Sequence, residues 1–420
     1  MRLHLLRPWP GRRLPQELRP GPVAQQAAAF PGGLRDPQLE TLLARIDTGR
    51  FHRPTRVEVF FEGHLTFRAA FAAIDAAAHE VLLESYIIRD DSTGRAALEA
   101  LARAVARGAV VKVLVDAWGS WATRSAFWDE MRRRGIAVRL FHPLWAHWRH
   151  RSNRDHRKIL VVDRQVAFLG GMNVADEYGS SWRSSGEGSS DENWRDTHAQ
   201  LEGSVARELA AVFQEGWTRA GGKEFDLGPE PEPPGDVAGA RALVVDTRAG
   251  RGQREKASLL AAVVGGARER VLITNAYFAP GRGTVGSLGD AAQRGVDVRL
   301  LLPGRSDVAL LRHAGHGYYE DLLRRGVRIF EYQPHVLHAK TLVADGYVSL
   351  IGSSNLDARS FRYNAECNIL VLDEATGHTM TTAFERDLAQ SEEVLLPEWR
   401  RRSVLHRWAD AVARRFSPVL

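Results

Sequence analysis

His156-Arg-Lys158-Ile-Leu-Val-Val-Asp163, followed six residues later by Gly170-Gly-Met-Asn173, is written a second time as His338-Ala-Lys340-Thr-Leu-Val-Ala-Asp345 and Gly352-Ser-Ser-Asn355. His, Lys, Asp and Asn each recur 182 residues further on. One such triplet arises by chance. Two copies in register, with the same downstream Gly-x-x-Asn, do not. A repeat on this scale means that one chain carries two versions of one structural unit, each bringing half of a site.

Each phrase reads as a strand. Residues 158–162 and 340–344 are rich in β-forming side chains. Each runs through a two-residue turn, Asp163-Arg164 or Asp345-Gly346, into a second apolar run, which is a hairpin pattern. Side chains alternate along a strand, so His and Lys, two apart, share a face. Asp lies five beyond Lys, on the other face and about 16 Å away at roughly 3.3 Å per residue. Asp163 and Asp345 stay with the catalytic set because the phrase includes them, but their placement points to fixing the turn.

Helix and strand alternate around both phrases. In the first half, residues 66–78, 95–107 and 124–134 read as helices, and 81–88 and 110–116 as strands. In the second, 256–268, 285–294 and 316–325 read as helices, and 270–277 and 296–302 as strands. Alternation of this kind implies βαβ units. The expected fold class is α/β: two similar domains, each a largely parallel or mixed sheet flanked by helices, with the active site at a pseudo-twofold interface. The domains expected are 55–220 and 241–397. Residues 221–240 read as a linker, because Pro229, Pro231, Pro233 and Pro234 cannot occupy a helix interior or a central strand. Residues 1–54, rich in Pro, Arg and Gly, read as a mostly irregular arm with one short helix. Residues 398–420 read as a basic amphipathic segment.

At 420 residues the chain exceeds the roughly 250–300 at which single cores stop growing, in agreement with two domains. Its one cysteine, Cys367, excludes an intrachain disulfide. There is no zinc-type Cys/His cluster, so neither a metal nor another cofactor is expected. A net charge of +6 suits an anionic partner, without choosing between nucleic acid and an acidic membrane. No apolar run approaches the roughly 20 residues that cross a bilayer. The opening MRLHLLRPWPGRRL is broken by Pro and Arg and does not read as a signal peptide.

The repeated residue types suit phosphoryl transfer. Histidine can attack phosphorus or pass a proton near neutral pH. Lysine sets a point charge against phosphate oxygens, and Asn173 and Asn355 add amide donors. A nucleophilic imidazole works best with a carboxylate on its other nitrogen. Glu366, eleven residues after Asn355, is one candidate. Asp196, beyond a Ser- and Gly-rich insertion over 177–193, is the other.

These phrases resemble the paired HKD motifs of the phospholipase D superfamily. Leu83-Glu-Ser-Tyr-Ile87, Trp194-Arg-Asp-Thr-His198, Asn275-Ala-Tyr-Phe-Ala-Pro-Gly281 and Gly352-Ser-Ser-Asn-Leu-Asp-Ala-Arg-Ser360 extend the resemblance, over roughly 55–395, to the bacterial class B cardiolipin synthases, which lack transmembrane helices. The resemblance implies that a phosphatidyl group passes from phosphatidylglycerol to a histidine, His156 by analogy, and then to the hydroxyl of a second phospholipid, releasing glycerol. It also implies an acidic residue paired with a motif histidine. The implied partners are phosphatidylglycerol, an acceptor phospholipid and an anionic membrane surface, with no nucleic acid. The implied location is peripheral, on the cytoplasmic side of the bacterial inner membrane. The alternatives are hydrolysis, as a phospholipase D or a nuclease of the same superfamily, and membrane binding without catalysis.

Three further stretches are read for their setting. The aromatic and basic run 142–151 suits a lipid interface as well as an ordinary half-buried loop. Gly119-Ser120 and 304–307 follow strands and sit where loops of open α/β sheets line a cleft. In 399–420, Leu405, Trp408, Val412 and Phe416 fall at helical spacing beside six arginines. That pattern suits either an anionic membrane surface or a helix packed on the second domain.

Overall fold

The computed structural model describes residues 15–47, 49–142, 153–179, 193–229, 239–248, 252–306 and 308–417. Two helices come first, α1 (Pro20–Ala28) and α2 (Pro37–Asp47). The first half opens with β1 (His52–Phe60), α3 (Gly63–Ala76), β2 (Glu80–Ser85), α4 (Ser92–Ala106), β3 (Val110–Asp116), α5 (Ser125–Arg133) and β4 (Ala137–Phe141). It continues with β5 (Arg154–Asp155), β6 (Ile159–Val162), β7 (Val166–Gly170), α6 (Asp176–Gly179), β8 (His198–Glu202) and α7 (Ser204–Arg219).

The second half repeats the order. Its elements are β9 (Ala240–Thr247), α8 (Gln253–Gly266), β10 (Arg270–Asn275), α9 (Arg282–Gln293), β11 (Asp297–Pro303), α10 (Ala309–Arg324) and β12 (Arg328–Tyr332). Then come β13 (Lys340–Ala344), β14 (Val348–Gly352), α11 (Ala358–Arg362), β15 (Asn364–Leu372) and α12 (Glu374–Leu388). The chain closes with β16 (Ser391–Glu393), α13 (Leu396–Arg401) and α14 (Val404–Phe416).

The class is mixed α/β. In each half three strands run parallel, β2-β3-β4 and β10-β11-β12, and the motif hairpin joins them antiparallel through β6 or β13. The ladder is continuous across the halves, in the order β16-β12-β11-β10-β13-β14-β15-β9-β1-β8-β7-β6-β2-β3-β4. The halves join where β1 meets β9 at His52–Ala242 and Thr55–Ala240, with a shift of register between them. A shared core lies between the two sheets. There α7 contributes Leu209 and Phe213, and α12 contributes Met380 and Phe384, against strand residues of both halves. Burying one apolar face of each sheet on common helices is what makes the halves one body.

Two expectations need correction. Residues 15–47 are not mostly irregular. They form α1 and α2, because Val23 and Ala27, then Leu39, Leu42, Leu43 and Ile46, build buried stripes at helical spacing. These stripes pack with α8 in the core of the second half. The helix expected at 316–325 starts at Ala309, seven residues or about two turns earlier. Of the linker, 221–229 is described and lies on the first half, where Lys112 Nζ sits 4.3 Å above the Phe225 ring; 230–238 lies outside the described residues. So do 143–152, most of the aromatic and basic run, and 180–192 of the insertion.

Candidate active site

Both motif strands turn through hairpins of the same form. Asp163 and Arg164 have φ of 49° and 57°, and Asp345 and Gly346 have 49° and 61°. Gln165 N–H donates to Val162 O, and Tyr347 N–H to Ala344 O, each at 3.0 Å. Positive φ at both central residues is the two-residue turn that matches strand twist. The Asp163 carboxylate accepts the N–H groups of Ala78, His79 and Glu80 at 2.7–2.8 Å. Asp345 accepts those of Arg268, Glu269 and Arg270 at 2.9 Å. Each aspartate thus ties the turn of its hairpin to the entry of the neighbouring strand. The structure gathers the other motif side chains elsewhere, at the beginning of the motif strand.

There the two halves interleave. β5 pairs in parallel with β15, at Arg154–Asn364 and Asp155–Ala365, and His156 N–H donates to Ala365 O at 2.9 Å. Arg195 pairs with Leu337, and His338 N–H donates to Arg195 O at 2.7 Å. Each motif is thereby bonded to the other half just ahead of its histidine. The carboxylates follow the same exchange. His156 Nδ1 lies 3.0 Å from Glu366 Oε2, and His338 Nδ1 lies 2.7 Å from Asp196 Oδ2. A carboxylate only accepts, so the Glu366 contact puts the His156 proton on Nδ1 and leaves Nε2 to react; at His338 the Asp196 carboxylate favours the same tautomer, with the Lys340 ammonium beside Nδ1 acting as a charge and not as a donor.

Burial sets the charge states. Burial lowers the His156 pKa, against the Glu366 carboxylate, which raises it. His338 is pushed down to about 4, by burial first and then by the Lys340 ammonium, whose Nζ lies 2.7 Å from Nδ1. Glu366 is held at about 2 despite its burial, chiefly by the charge of His156 and its hydrogen bond. Asp196 also lies below its ordinary value: Lys340 and His338 outweigh its burial. Burial lowers Lys158 to about 7. Both imidazoles are thereby neutral and both carboxylates ionised, with Lys158 and Lys340 beside them. An entering phosphate monoanion favours protonation of an imidazole and of Lys158.

The carboxylates are supported differently. Glu366 accepts Ser353 Oγ–H at 2.5 Å, Ser360 Oγ–H at 2.8 Å and Asn364 Nδ2–H at 3.2 Å. Asp196 accepts Thr197 N–H at 2.7 Å. Gly171 stands opposite Asp196, where a Cβ would meet Oδ1 at 2.1 Å, so a side chain is excluded at the place Ser353 fills in the second half. The asparagines differ too. Asn173 is committed, accepting Ile87 N–H at 3.2 Å and donating to Tyr178 Oη at 2.9 Å. Asn355 Oδ1 is buried without a hydrogen-bond partner.

Several residues beside the histidines are not singled out by the sequence, although Tyr86, Trp194 and Tyr277 lie in the stretches that carry the resemblance. Tyr86 meets His156 edge-on at 4.9 Å between centroids. Tyr178, Trp194 and Tyr277 surround His338 at 5.6, 5.2 and 6.0 Å. Tyr86 and Tyr277 lie just past the ends of β2 and β10, the strands paired with the two motif strands; an aromatic in that place in both halves was the available signal. Arg157, between His156 and Lys158, is fully buried against Asp246, Glu215 and Glu84 at 2.6, 3.2 and 3.5 Å.

A twofold set of His and Lys, with each lysine in electrostatic reach of both histidines and each histidine oriented by a carboxylate of the other half, defines the phospholipase D class of phosphodiester-handling enzymes. The family model described as "Cardiolipin synthase, PLD-like domain" matches residues 71–215 and 260–388, and the chain belongs to that family, whose members are phosphatidyltransferases. It is 30% identical over 427 residues to cardiolipin synthase 1 of Bacillus anthracis, covering 99% of this chain and 83% of the relative. It is 35% identical over 367 residues to cardiolipin synthase A of Pseudomonas syringae pv. syringae, covering 87% and 75%. The solved phosphatidylserine synthase of Haemophilus influenzae Rd KW20 shares the fold with a TM-score of 0.68 at 11% identity, covering 91% of this chain and all of that one.

Proposed function

We propose that the chain makes cardiolipin from two molecules of phosphatidylglycerol through a covalent histidine intermediate. The observation that carries this reading is the crossed pairing of His156 with Glu366 and His338 with Asp196, which orients two imidazoles across the junction of the halves. His156 Nε2 attacks phosphorus, and the bond from phosphorus to the glycerol oxygen breaks. His338, protonated when the anionic substrate binds, gives its proton to the departing glycerol. His338 then takes the proton from the hydroxyl of a second phosphatidylglycerol, whose oxygen attacks phosphorus and displaces His156. Lys158, Lys340 and Asn355 hold the non-bridging oxygens.

Hydrolysis differs only in the acceptor, water replacing the lipid alcohol. The enzyme works as a peripheral protein on the cytoplasmic face of the inner membrane, with anionic phospholipid as both substrate and surface. In support, no helix among the described residues is long and apolar enough to cross a membrane. Incubation with phosphatidylglycerol labelled in its headgroup should give free glycerol and cardiolipin in equal amounts. Phosphatidic acid in place of cardiolipin would make the enzyme a hydrolase.

A further inference from the structure

Among the described residues, Leu65, Val110 and Leu395 are exposed singly, and the other large exposed apolar side chains fall in groups. Trp118 and Trp121, 50% and 74% exposed, stand on the loop after β3. Val308 and Leu310 occupy the loop after β11 and the first turn of α10, the counterparts in the second half. Leu405 and Trp408, 79% and 67% exposed, lie on α14. The loop after β3 and α10, on which α14 packs, run close to the aromatic residues beside the histidines. A Cβ on Gly119 would strike Tyr86, the ring against His156. A Cβ on Gly315 of α10 would strike the backbone of Phe278, next to Tyr277.

Both supports are fixed rather than loose. Asp116 accepts Trp118 N–H at 2.9 Å and Gly119 N–H at 3.0 Å with one oxygen, and Asp155 N–H at 2.9 Å with the other. The tryptophan loop is thus clamped to the strand that leads into His156. Helix α14 docks on α10 by its polar and small side: Asp410 lies 2.8 Å from His313 Nδ1, Ala413 joins Ala314 and Ala279, and Arg414 donates to Gly317 O at 2.7 Å. A helix packed by its polar side turns its apolar side outward. The sequence left open whether this segment packs on the second domain or faces a membrane; the structure shows it packed, with Leu405 and Trp408 exposed.

Charge decides between occupants. Between Trp399 and Ser417 the single acidic residue is Asp410, which is buried, whereas Arg401, Arg407 and Arg415 are exposed. Residues 117–124 hold no acidic group. Tryptophan with arginine, around a cleft that handles a headgroup phosphodiester, matches the boundary layer of an anionic bilayer.

We propose that the loop after β3 and the outer face of α14 are the two edges of a bilayer-docking rim that seats the active-site mouth on anionic lipid headgroups. The proposal rests on the lipid-transferase reading and names the surface that reading requires. Full-length protein, wild type and Trp121→Ser/Leu405→Ser/Trp408→Ser, is sedimented with vesicles of phosphatidylglycerol and phosphatidylcholine, and with phosphatidylcholine alone. Turnover of soluble bis(p-nitrophenyl) phosphate is measured in parallel.

The triple variant should bind anionic vesicles at least about tenfold more weakly, since exposed apolar side chains would lose their burial in lipid. Its turnover of the soluble diester should stay within about twofold. Trp121→Phe/Trp408→Phe should keep most of the binding. Unchanged vesicle binding would overturn the rim, as would soluble turnover falling in step with binding. A change of self-association without loss of vesicle binding would overturn it in favour of a protein partner. His156→Ala should bind vesicles like the wild type. If wild type bound through these residues yet made no cardiolipin, the rim would stand and the transferase reading would fall.

Discussion

Glu366 and Asp196 hold equivalent places in the two halves, and each orients the histidine of the other half. Their surroundings differ. Glu366 is buttressed by hydroxyls of Ser353 and Ser360, whereas Asp196 faces Gly171, which has no side chain to offer. The residue inside the motif differs as well. Arg157 anchors a buried ion network that reaches Asp246 of the second half, while Ala339 fills the matching place. The two copies share a hairpin and a histidine–carboxylate hydrogen bond but have divided the structural work. Neither half contains a complete site, so the interface between them is part of the chemistry.

The largest effect should come from the histidines, where the halves are most alike. Replacing His156 or His338 with Ala should each lower turnover by at least ~10^3-fold, with the fold intact. The two variants should still differ. A phosphatidyl adduct should build up on His156 in His338→Ala and be missing from His156→Ala, as mass spectrometry of quenched peptides would show. An adduct on His338 would reverse the roles.

Next come the carboxylates. Glu366→Gln and Asp196→Asn should each cost about 10^2-fold in kcat, by loosening the tautomer of the partner histidine. Glu366→Gln should also unfold more easily. Glu366 titrates near 2 in the fold against 4.5 ordinarily. The stability it contributes is therefore full above about pH 4.5 and lost as pH falls toward 2. The variant should show less acid sensitivity in that window. An identical stability profile for the two carboxylate variants would erase the asymmetry.

Arg157→Ala should destabilise the protein by about 3–5 kcal/mol, because it leaves Glu84, Glu215 and Asp246 without their buried cation. Ala339→Ser should cost far less. Chemical denaturation measures both, and equal costs would mean that the network does not join the halves. The smallest effect on chemistry should come from the aspartates. Asp163→Ala and Asp345→Ala should each lose roughly 1–3 kcal/mol of stability as backbone N–H groups lose their acceptor, with little change in the turnover of folded enzyme.

Much of this was legible in the sequence. The repeat gave the two halves, strand alternation put His and Lys on one face, and the spacing moved Asp163 and Asp345 to the far turn. The exchange of carboxylates was not legible. Spacing along a chain shows which half carries an acid, but the pairing depends on how β5 crosses to β15 and Arg195 to Leu337. That 15–47 holds two buried helices where one short helix is expected has a different reason. Pro and Arg scattered through 1–54 interrupt the pattern and mask the apolar spacing of Leu39, Leu42, Leu43 and Ile46. The outward face of α14 was readable as a stripe, but Asp410 as its docking point required the partners His313 and His316 on α10.

The crossed pairing is tested most directly by nuclear magnetic resonance of protein labelled with 15N in its histidines. A strong hydrogen bond from Nδ1–H to a buried carboxylate gives a deshielded imidazole proton. Among the deshielded imidazole protons, those of His156 and His338 are assigned through His156→Gln and His338→Gln, apart from that of His313, which faces Asp410. Glu366→Gln should abolish the His156 signal and spare that of His338, and Asp196→Asn should do the reverse. Loss of the His156 signal in Asp196→Asn, with the signal kept in Glu366→Gln, would show that each half orients its own histidine and would contradict the shared site.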